Sequence, residues 1–255
     1  MRASREHIRL FVDAPLVEDV EIRLPQPQAH YLRNVMRREV GDEIGLFNGA
    51  DGEWRASILA LGKHDARIRL NDKIRAQTVT PDLWLLCAAV KRTRLEIIVE
   101  KATELGVREI HPVITEYTSA PHVNLERLNA IAIEAAEQCG LLSVPMLHAP
   151  EKLNVTLENW SQERRIMFCD ESGAGRPALC QLQHTTARNA AWAVLCGPEG
   201  GFSPAERSRL LALPQVAPVS LGPRILRADT AAIAALTLWQ ALCGDWDAAP
   251  VAPSR

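Results

Sequence analysis

The stretch Ala191-Trp-Ala-Val-Leu-Cys-Gly-Pro-Glu-Gly-Gly-Phe-Ser-Pro-Ala-Glu206 indicates the fold class of this chain. It begins with a short apolar run, typical of a strand that is buried on both faces of a sheet. A glycine-rich turn follows. Ser203, Pro204 and Glu206 then have the spacing of a capping box that opens a helix, with proline in the first turn. A buried strand that passes through a glycine turn into a helix is the repeating unit of parallel α/β sheets.

The same alternation of strands and helices continues on both sides of this stretch. It predicts an α/β domain at residues 80–245, with a mainly parallel sheet covered by helices on both faces. Thr93 and Glu96 predict a capping box at the first helix of this domain. The other predicted strands are Leu83–Val90, Val107–Ile114, Arg165–Asp170 and Val216–Leu221, and the other predicted helices are Arg92–Leu105, Leu125–Cys139 and Thr230–Leu242.

Residues 1–76 have a different pattern, in which short strands are joined by tight turns. Asn48-Gly49 and Asp51-Gly52 supply the positive φ angles that hairpins require, so we expect a small β-barrel. One helix is predicted from Pro27 to about Glu39, with Leu32, Val35 and Met36 on its apolar face. The predicted strands are Ile8–Val12, Val20–Leu24, Ile44–Phe47, Trp54–Ala60 and Ala66–Leu70. Asn71–Pro81 is the expected linker, and residues 246–255 are expected to fray.

The composition is that of a globular protein without a strong charge bias. The 255 residues carry a formal net charge of −2, so an RNA-binding function would have to depend on local basic surfaces. No membrane-length apolar segment or apolar signal core is present, which predicts a cytoplasmic protein. The cysteines are scattered without a CxxC pair, so we expect buried small hydrophobes rather than disulfides, and no metal. They are Cys87, Cys139, Cys169, Cys180, Cys196 and Cys243.

Two loops could carry chemistry. In Gly197–Ser203, three glycines allow the backbone to approach a ligand closely, although a tight connection without a ligand explains the pattern equally well. The spacing fits neither GxGxxG nor a P-loop. The second loop, Leu221–Thr230, places Arg224 and Arg227 at the end of a strand, where open α/β sheets bind ligands. These arginines could instead cap carbonyl groups or pair with Glu199 and Asp229.

Cations also cluster where a strand meets a helix, at Lys91, Arg92 and Arg94. Cations at a helix N-terminus oppose the helix dipole, which favours a purpose other than helix stability. Phosphate binding and ordinary surface solvation both remain open.

Together these segments resemble the RsmE family, the 16S rRNA (uracil-N3)-methyltransferases of the SPOUT superfamily. The ordered set is more specific than any one motif. The matching pieces are His30–Arg37, Gly41–Ile44, Asn48-Gly49, Lys101–Val107, Glu134–Gln138, Gly197–Ser203 and Leu221–Arg227. Where the family usually carries a glutamate, this chain has Asp229, whose side chain is one methylene shorter.

The resemblance implies a small PUA-like β-barrel domain followed by an α/β, SPOUT-type parallel-sheet domain with a trefoil knot. It also implies S-adenosyl-L-methionine as cofactor, 16S rRNA of the small ribosomal subunit as substrate, and a homodimer formed through the C-terminal helix. The implied cofactor-binding residues are Leu195, Gly197, Pro198, Glu199, Gly200, Gly201, Leu221, Gly222, Ile225, Leu226 and Thr230.

The chemistry of methylating uracil N3 suggests roles for charged residues. N3 becomes nucleophilic as its proton leaves, and the resulting charge on O2 and O4 calls for a fixed guanidinium. Arg227 is the first candidate and Arg224 the second, with water, Asp229 or Glu199 as proton acceptor. The predicted RNA contacts are Arg9, Arg33, Arg37, Lys91, Arg92 and Arg94. Alternatives are ribose 2′-O or guanine-N1 methylation by another SPOUT enzyme, or a non-catalytic ribosome-assembly factor that binds RNA.

Overall fold

The computed structural model describes residues 8–118, 122–183 and 190–248. It divides into two compact units. Among the described residues, the first comprises residues 8–79 and Ala136–Val144, and the second comprises Thr80–Ala135 and residues 145–248. Of the predicted frayed tail, residues 246–248 are described and residues 249–255 lie outside the described part.

The first unit is a sheet with the strand order β1-β3-β4-β5-β2, in which β1 and β3 are parallel and the other pairs are antiparallel. Every strand contributes apolar side chains to one shared core, for example Leu10, Ile58 and Ile68. The elements are β1 (Arg9–Phe11), β2 (Glu21–Leu24), α1 (Gln26–His30), a π-helical turn (Tyr31–Val35), β3 (Glu43–Phe47), β4 (Glu53–Leu61) and β5 (Ala66–Arg75).

The predicted long helix and the predicted linker of this unit are both wrong in extent. The α-helix ends at His30, and the wider π-helical turn begins there, with the Met36 amide donating to the carbonyl of Tyr31 at 3.0 Å. The extra residue in this turn rotates Val35 away from the apolar face, and its side chain is 58% exposed. Arg37 lies beyond the turn at φ 50°. Strand β5 continues to Arg75, inside the expected linker.

A buried carboxylate, Glu53, organises the charged groups of the first unit. Its side chain is inaccessible to solvent, and its two oxygens pair with the Nε atoms of Arg9 at 2.9 Å and Arg75 at 2.7 Å. The remaining nitrogens of Arg9 donate to the carbonyls of Ala136, Glu137 and Leu141 at 2.7–3.1 Å. The predicted RNA contact at Arg9 is therefore wrong, because its guanidinium is buried and committed to internal acceptors.

The second unit is a parallel sheet with the strand order β11-β13-β10-β12-β6-β7-β8, with β9 paired to β7. The elements are β6 (Leu83–Ala88), α2 (Arg92–Glu104), β7 (Glu109–Ile114), α3 (Leu125–Cys139), β8 (Met146–Leu147), β9 (Glu151–Lys152), α4 (Leu153–Glu158), β10 (Arg165–Cys169), β11 (Arg176–Pro177), α5 (Ala178–Gln183), β12 (Trp192–Cys196), α6 (Pro204–Ala212), β13 (Val216–Ser220) and α7 (Ala228–Cys243).

Helices cover both faces of this sheet, which confirms the predicted α/β class. Leu153 and Leu157 of α4 and Leu210 of α6 pack with Phe168 of β10 in one core cluster. On the other side of the sheet, α7 packs against α2 and α5 and against strands β12 and β6. Strand β12 is buried along its whole length, as its apolar sequence predicts.

The two predicted capping boxes have opposite outcomes. At α6, the Ser203 hydroxyl accepts from the Glu206 amide and the Glu206 carboxylate accepts from the Ser203 amide, which confirms that box. At α2, Lys91 is the N-cap residue and makes no side-chain cap, while Glu96 pairs with Arg92 at 2.8 Å.

The expectation that all cysteines are buried is also wrong, since Cys139 and Cys180 are exposed.

The Glu53 cluster gives a stability prediction. Replacing Arg9 with alanine leaves a buried carboxylate and three carbonyls short of a partner, so the free energy of unfolding should fall by about 3 to 5 kcal/mol. Urea denaturation measures this. The matched control is Arg67→Ala, whose side chain is 62% exposed and whose loss should cost no more than about 0.5 kcal/mol. Equal losses for the two variants would contradict the central role of Glu53.

Candidate active site at the carboxyl ends of the parallel strands

A cavity of about 260 Å³ lies where β10 and β13 end. These strands pair in parallel with Cys169 opposite Val219, so the loops that follow them leave the sheet side by side. The loop after β13 forms one wall and includes the predicted cofactor residues Leu221, Gly222, Ile225 and Leu226. Arg224, a predicted catalytic residue, lines the same wall, and Ala231 of α7 closes it.

The opposite wall, Cys169–Gly173, was not among the predicted site residues. Asp170 is buried there and accepts from Arg207 through Nε at 3.2 Å and Nη2 at 2.8 Å. Burial acts to raise the pKa of Asp170, but hydrogen bonds from Arg207 and Ser172 outweigh it and lower the pKa. One signal in the sequence could have identified Asp170: it is a carboxylate at the carboxyl end of the predicted strand Arg165–Asp170.

Glu171 connects this wall to the glycine-rich segment, because its Oε1 accepts from the Phe202 amide at 2.9 Å. Gly201 adopts φ +70°, and a Cβ there would meet the same Glu171 oxygen. At Gly197, a Cβ would lie 2.5 Å from the ring of Phe202, which is buried against Phe168. Close packing therefore explains why glycine is needed at both positions, which supports the interpretation of this segment as a tight connection.

Residues of the glycine-rich segment do not line the cavity within the part of the chain that the structure describes. Their predicted contact with a cofactor therefore stays a prediction, as it does for Leu195, which is fully buried in β12, and for Thr230, which is exposed on α7. The predicted residues of the segment are Gly197, Pro198, Glu199, Gly200 and Gly201.

Glu206 fixes the start of α6 to the loop after β7. Its side chain is almost fully buried; Oε2 accepts from the Ser203 amide at 3.0 Å, and Oε1 accepts from the Glu116 amide at 2.9 Å. One carboxylate thus satisfies a helix terminus and a neighbouring loop together.

Arg94, a predicted RNA contact, forms ion pairs with two carboxylates of the second unit. Its Nη1 pairs with Asp229 Oδ2 at 2.5 Å, and its Nε lies 3.8 Å from Glu199 Oε1. The other oxygen of Asp229 accepts from the Thr230 amide at 3.0 Å. The guanidinium of Arg94 thus joins α2 to the start of α7, and its assignment to phosphate stays a prediction. Asp229, predicted to be catalytic, is held in the same ion pair.

Arg224 and Arg227 are exposed, and neither guanidinium has a hydrogen bond or an ion pair to another described residue. The interpretation that they pair with Glu199 and Asp229 is wrong, because Arg94 occupies both carboxylates. Two guanidinium groups with free donors stand on the loop that forms a wall of the cavity. Such a pair can bind a ligand that carries or develops negative charge.

The other predicted RNA contacts are exposed. Arg33 and Arg37 lie in and beyond the π-helical turn of the first unit, and Lys91 and Arg92 lie at the start of α2. Arg92 is 75% exposed although it pairs with Glu96. Their assignment to phosphate stays a prediction.

Comparison with known proteins identifies the family. The model of an RNA methyltransferase domain matches residues 78–240, and that of an RNA methyltransferase PUA domain matches residues 24–71. The chain belongs to the RNA methyltransferase family. A ribosomal RNA small subunit methyltransferase E from Rickettsia conorii is 32% identical, with 89% of this chain and 93% of that protein aligned.

Solved structures of similar proteins include methyltransferases in complex with S-adenosyl methionine. The methyltransferase E of Neisseria gonorrhoeae, bound to S-adenosyl methionine, superposes with a TM-score of 0.84 and 26% identity, covering 94% of this chain and all of the other. A Legionella pneumophila methyltransferase in complex with the same cofactor gives a TM-score of 0.83 and 29% identity, covering 94% and 99%. This RNA methyltransferase thus combines a PUA-like first unit with an α/β second unit; its knot stays a prediction of the resemblance.

The packing of Gly197 in this RNA methyltransferase gives a test of the glycine-rich segment. Gly197→Ala should lower the free energy of unfolding by about 1 to 3 kcal/mol, because the new methyl group overlaps the Phe202 ring. Adding Phe202→Leu shortens that side chain, so the double variant should lose less than the sum of the two single losses. Chemical denaturation of the four proteins measures the coupling. Additive losses would show that the ring does not restrict this position.

Proposed function

We propose that this protein transfers a methyl group from S-adenosylmethionine to N3 of a uridine in 16S rRNA of the small ribosomal subunit. One observation carries the proposal: two arginines with unused donors, Arg224 and Arg227, stand on the loop that walls the strand-end cavity. The family membership adds the reaction class, and the names of the relatives add the small-subunit RNA.

The residues around the cavity fit the proposed cofactor. Its volume of about 260 Å³ lies near the lower end of cofactor pockets, about 300 Å³. Leu221, Ile225 and Leu226 offer apolar contact for a nucleoside base, and the backbone of the same loop offers polar groups. Glu171 and Ser172 supply a carboxylate and a hydroxyl for ribose or for cationic groups. When bound, the cofactor supplies an electrophilic methyl group on a sulfonium.

Arg227 is the residue that we assign to the uracil. Its side chain would lie beside O2 or O4 and stabilise the charge that develops there as N3 loses its proton. An arginine remains protonated at every accessible pH and cannot take that proton. Asp229 is poorly placed to take it, since both of its oxygens are engaged. Glu199 is the better carboxylate acceptor, because it is 49% exposed and its ion pair with Arg94 is long, at 3.8 Å; water is the alternative.

The RNA and the second subunit would use surfaces outside the cavity. Arg33, Arg37, Lys91 and Arg92 supply exposed positive charge for the phosphate backbone, and the salt dependence of RNA binding measures how many of them take part.

The buried face of α7 already packs inside its own unit, but Ile233, Ala234 and Leu238 remain half-buried on its other face. We propose that a second copy covers this face. Sedimentation of the purified protein tests that assignment.

The deciding experiment uses small ribosomal subunits from a strain that lacks its own uracil-N3 methylation. The purified protein and labelled S-adenosylmethionine are added, and the RNA is digested to nucleosides. We expect one site of 3-methyluridine. A 2′-O-methylated nucleoside or 1-methylguanosine would overturn the uracil-N3 assignment but keep the RNA methyltransferase. Absence of both transfer and cofactor binding would instead indicate a ribosome-assembly factor.

Arg227→Ala should lower kcat in this assay by about 100- to 1000-fold, because one stabilising group for the developing charge is lost. The Kd for S-adenosylmethionine, measured by calorimetry, should change little. Arg127→Ala is the matched control, since this arginine is exposed on α3 and pairs only loosely with Glu96 at 3.5 Å. Normal kcat with weakened cofactor binding would assign Arg227 to the cofactor instead of the uracil.

A further inference from the structure

Two histidines and a glutamate meet in the second unit, at the opposite end of the sheet from the cavity. Glu109 and His111 are two apart on β7, so their side chains lie on one face of the sheet. His148 follows β8, the neighbouring strand, and its amide donates to the Ile110 carbonyl at 2.9 Å. The parallel pairing of β7 and β8 therefore sets the spacing of all three side chains.

Their ligand atoms converge. Glu109 Oε2 lies 2.7 Å from His148 Nε2 and 3.2 Å from His111 Nε2, and the three atoms lie within 4.8 Å of one another. The two imidazole rings stack at a centroid distance of 3.9 Å with their planes 10° apart, and both Nε2 atoms face the same carboxylate oxygen. We propose that Glu109, His111 and His148 bind a divalent transition metal ion of the zinc class.

The donor set and its surroundings favour this class of ion. Imidazole nitrogens suit zinc and its neighbours in the first transition row, whereas magnesium and calcium prefer oxygen ligands alone. Zinc bonds to nitrogen and carboxylate oxygen are about 2.0 to 2.2 Å, so two ligand atoms of one zinc ion lie roughly 3 to 4 Å apart. The three atoms here, all within 4.8 Å of one another, are close to that spacing. Three protein ligands leave a coordination position for water. The side chains are 17–34% exposed, so an ion can enter from solvent.

The aromatic neighbours of His111 fix the orientation of its ring. Its ring stacks on Trp84 at 4.6 Å, and the Arg164 guanidinium lies 3.5 Å from the centre of the Trp84 ring. Asp82 balances the charge of Arg164 through two bonds of 3.0 Å. A ring whose orientation is already fixed loses little conformational freedom on coordination.

The place of the cluster assigns the ion a structural role. Glu109 is the first residue of β7, whereas the cavity lies where β10 and β13 end. Strand β8 is the last strand in the sheet order and has only two residues. A metal shared by β7 and the residue after β8 would stabilise this short edge strand. The inference does not depend on the proposed methyl transfer.

The test is zinc binding to tag-free, chelator-treated full-length protein, followed by calorimetry and by the visible spectrum with Co²⁺. The Cys139→Ser, Cys180→Ser background removes the two exposed thiols among the described cysteines. We expect one zinc per chain and a melting temperature raised by roughly 5 to 10 °C when zinc is in hundredfold excess over Kd.

Variants decide whether the cluster is the site. His111→Ala, His148→Gln and Glu109→Gln should each raise the Kd for zinc by about 10-fold or more, because each removes a ligand. His64→Ala, an exposed histidine in the first unit, is the matched control and should leave the Kd unchanged. His148→Gln changes the most exposed member and is the safeguard against misfolding. No zinc binding, or binding that all the cluster variants retain, would overturn the proposal.

Discussion

Parallel pairing of β10 with β12 and β13 is the constraint on which the candidate site depends. It brings the carboxyl ends of three buried strands to one edge of the sheet, and each strand must then leave through a loop whose backbone groups lack sheet partners. Carboxylates supply several of the missing partners. Asp170 accepts from the Ser172 amide, Glu171 from the Phe202 amide, and Glu206 from the Ser203 amide.

The ion pair between Arg94 and Asp229 belongs to the same scheme, but with a different consequence. By fixing the first turn of α7 to α2, it commits Asp229 and leaves Arg224 and Arg227 without carboxylate partners among the described residues. Burial of unpaired guanidinium groups would be costly, and these two avoid the cost by remaining exposed. Their charge is therefore available to a ligand. An arginine already paired would be neutralised and could offer little to a developing anion.

The sequence predicted the longer strands and helices of the second unit because their signals are local, whereas the short elements β8, β9, α4, β11 and α5 were not predicted. The apolar run of β12, the Ser203–Glu206 box and the glycine that follows β13 lie within a few residues of the features they specify. The ion pair of Arg94 could not be predicted, because its partner Asp229 is 135 residues away and no local pattern indicates that contact. The π-helical turn was missed for a related reason. Apolar spacing at Leu32, Val35 and Met36 fits an α-helix, and one additional residue per turn removes Val35 from the buried face.

The two ends of the parallel sheet meet different demands with the same residue types. At the amino ends, Arg164 donates to the Asp82 carboxylate and the Trp192 carbonyl, and its guanidinium lies against the Trp84 ring. These contacts join β6, β10 and β12. At the carboxyl ends, helix termini and loops provide the hydrogen bonds that the backbone needs. Arg224 and Arg227 are therefore not needed to hold the strands together. Open α/β sheets bind ligands at the carboxyl ends of their strands, and in this protein that is the end where Arg224 and Arg227 are not used to join strands. This division explains why Arg164 is buried while Arg227 is exposed.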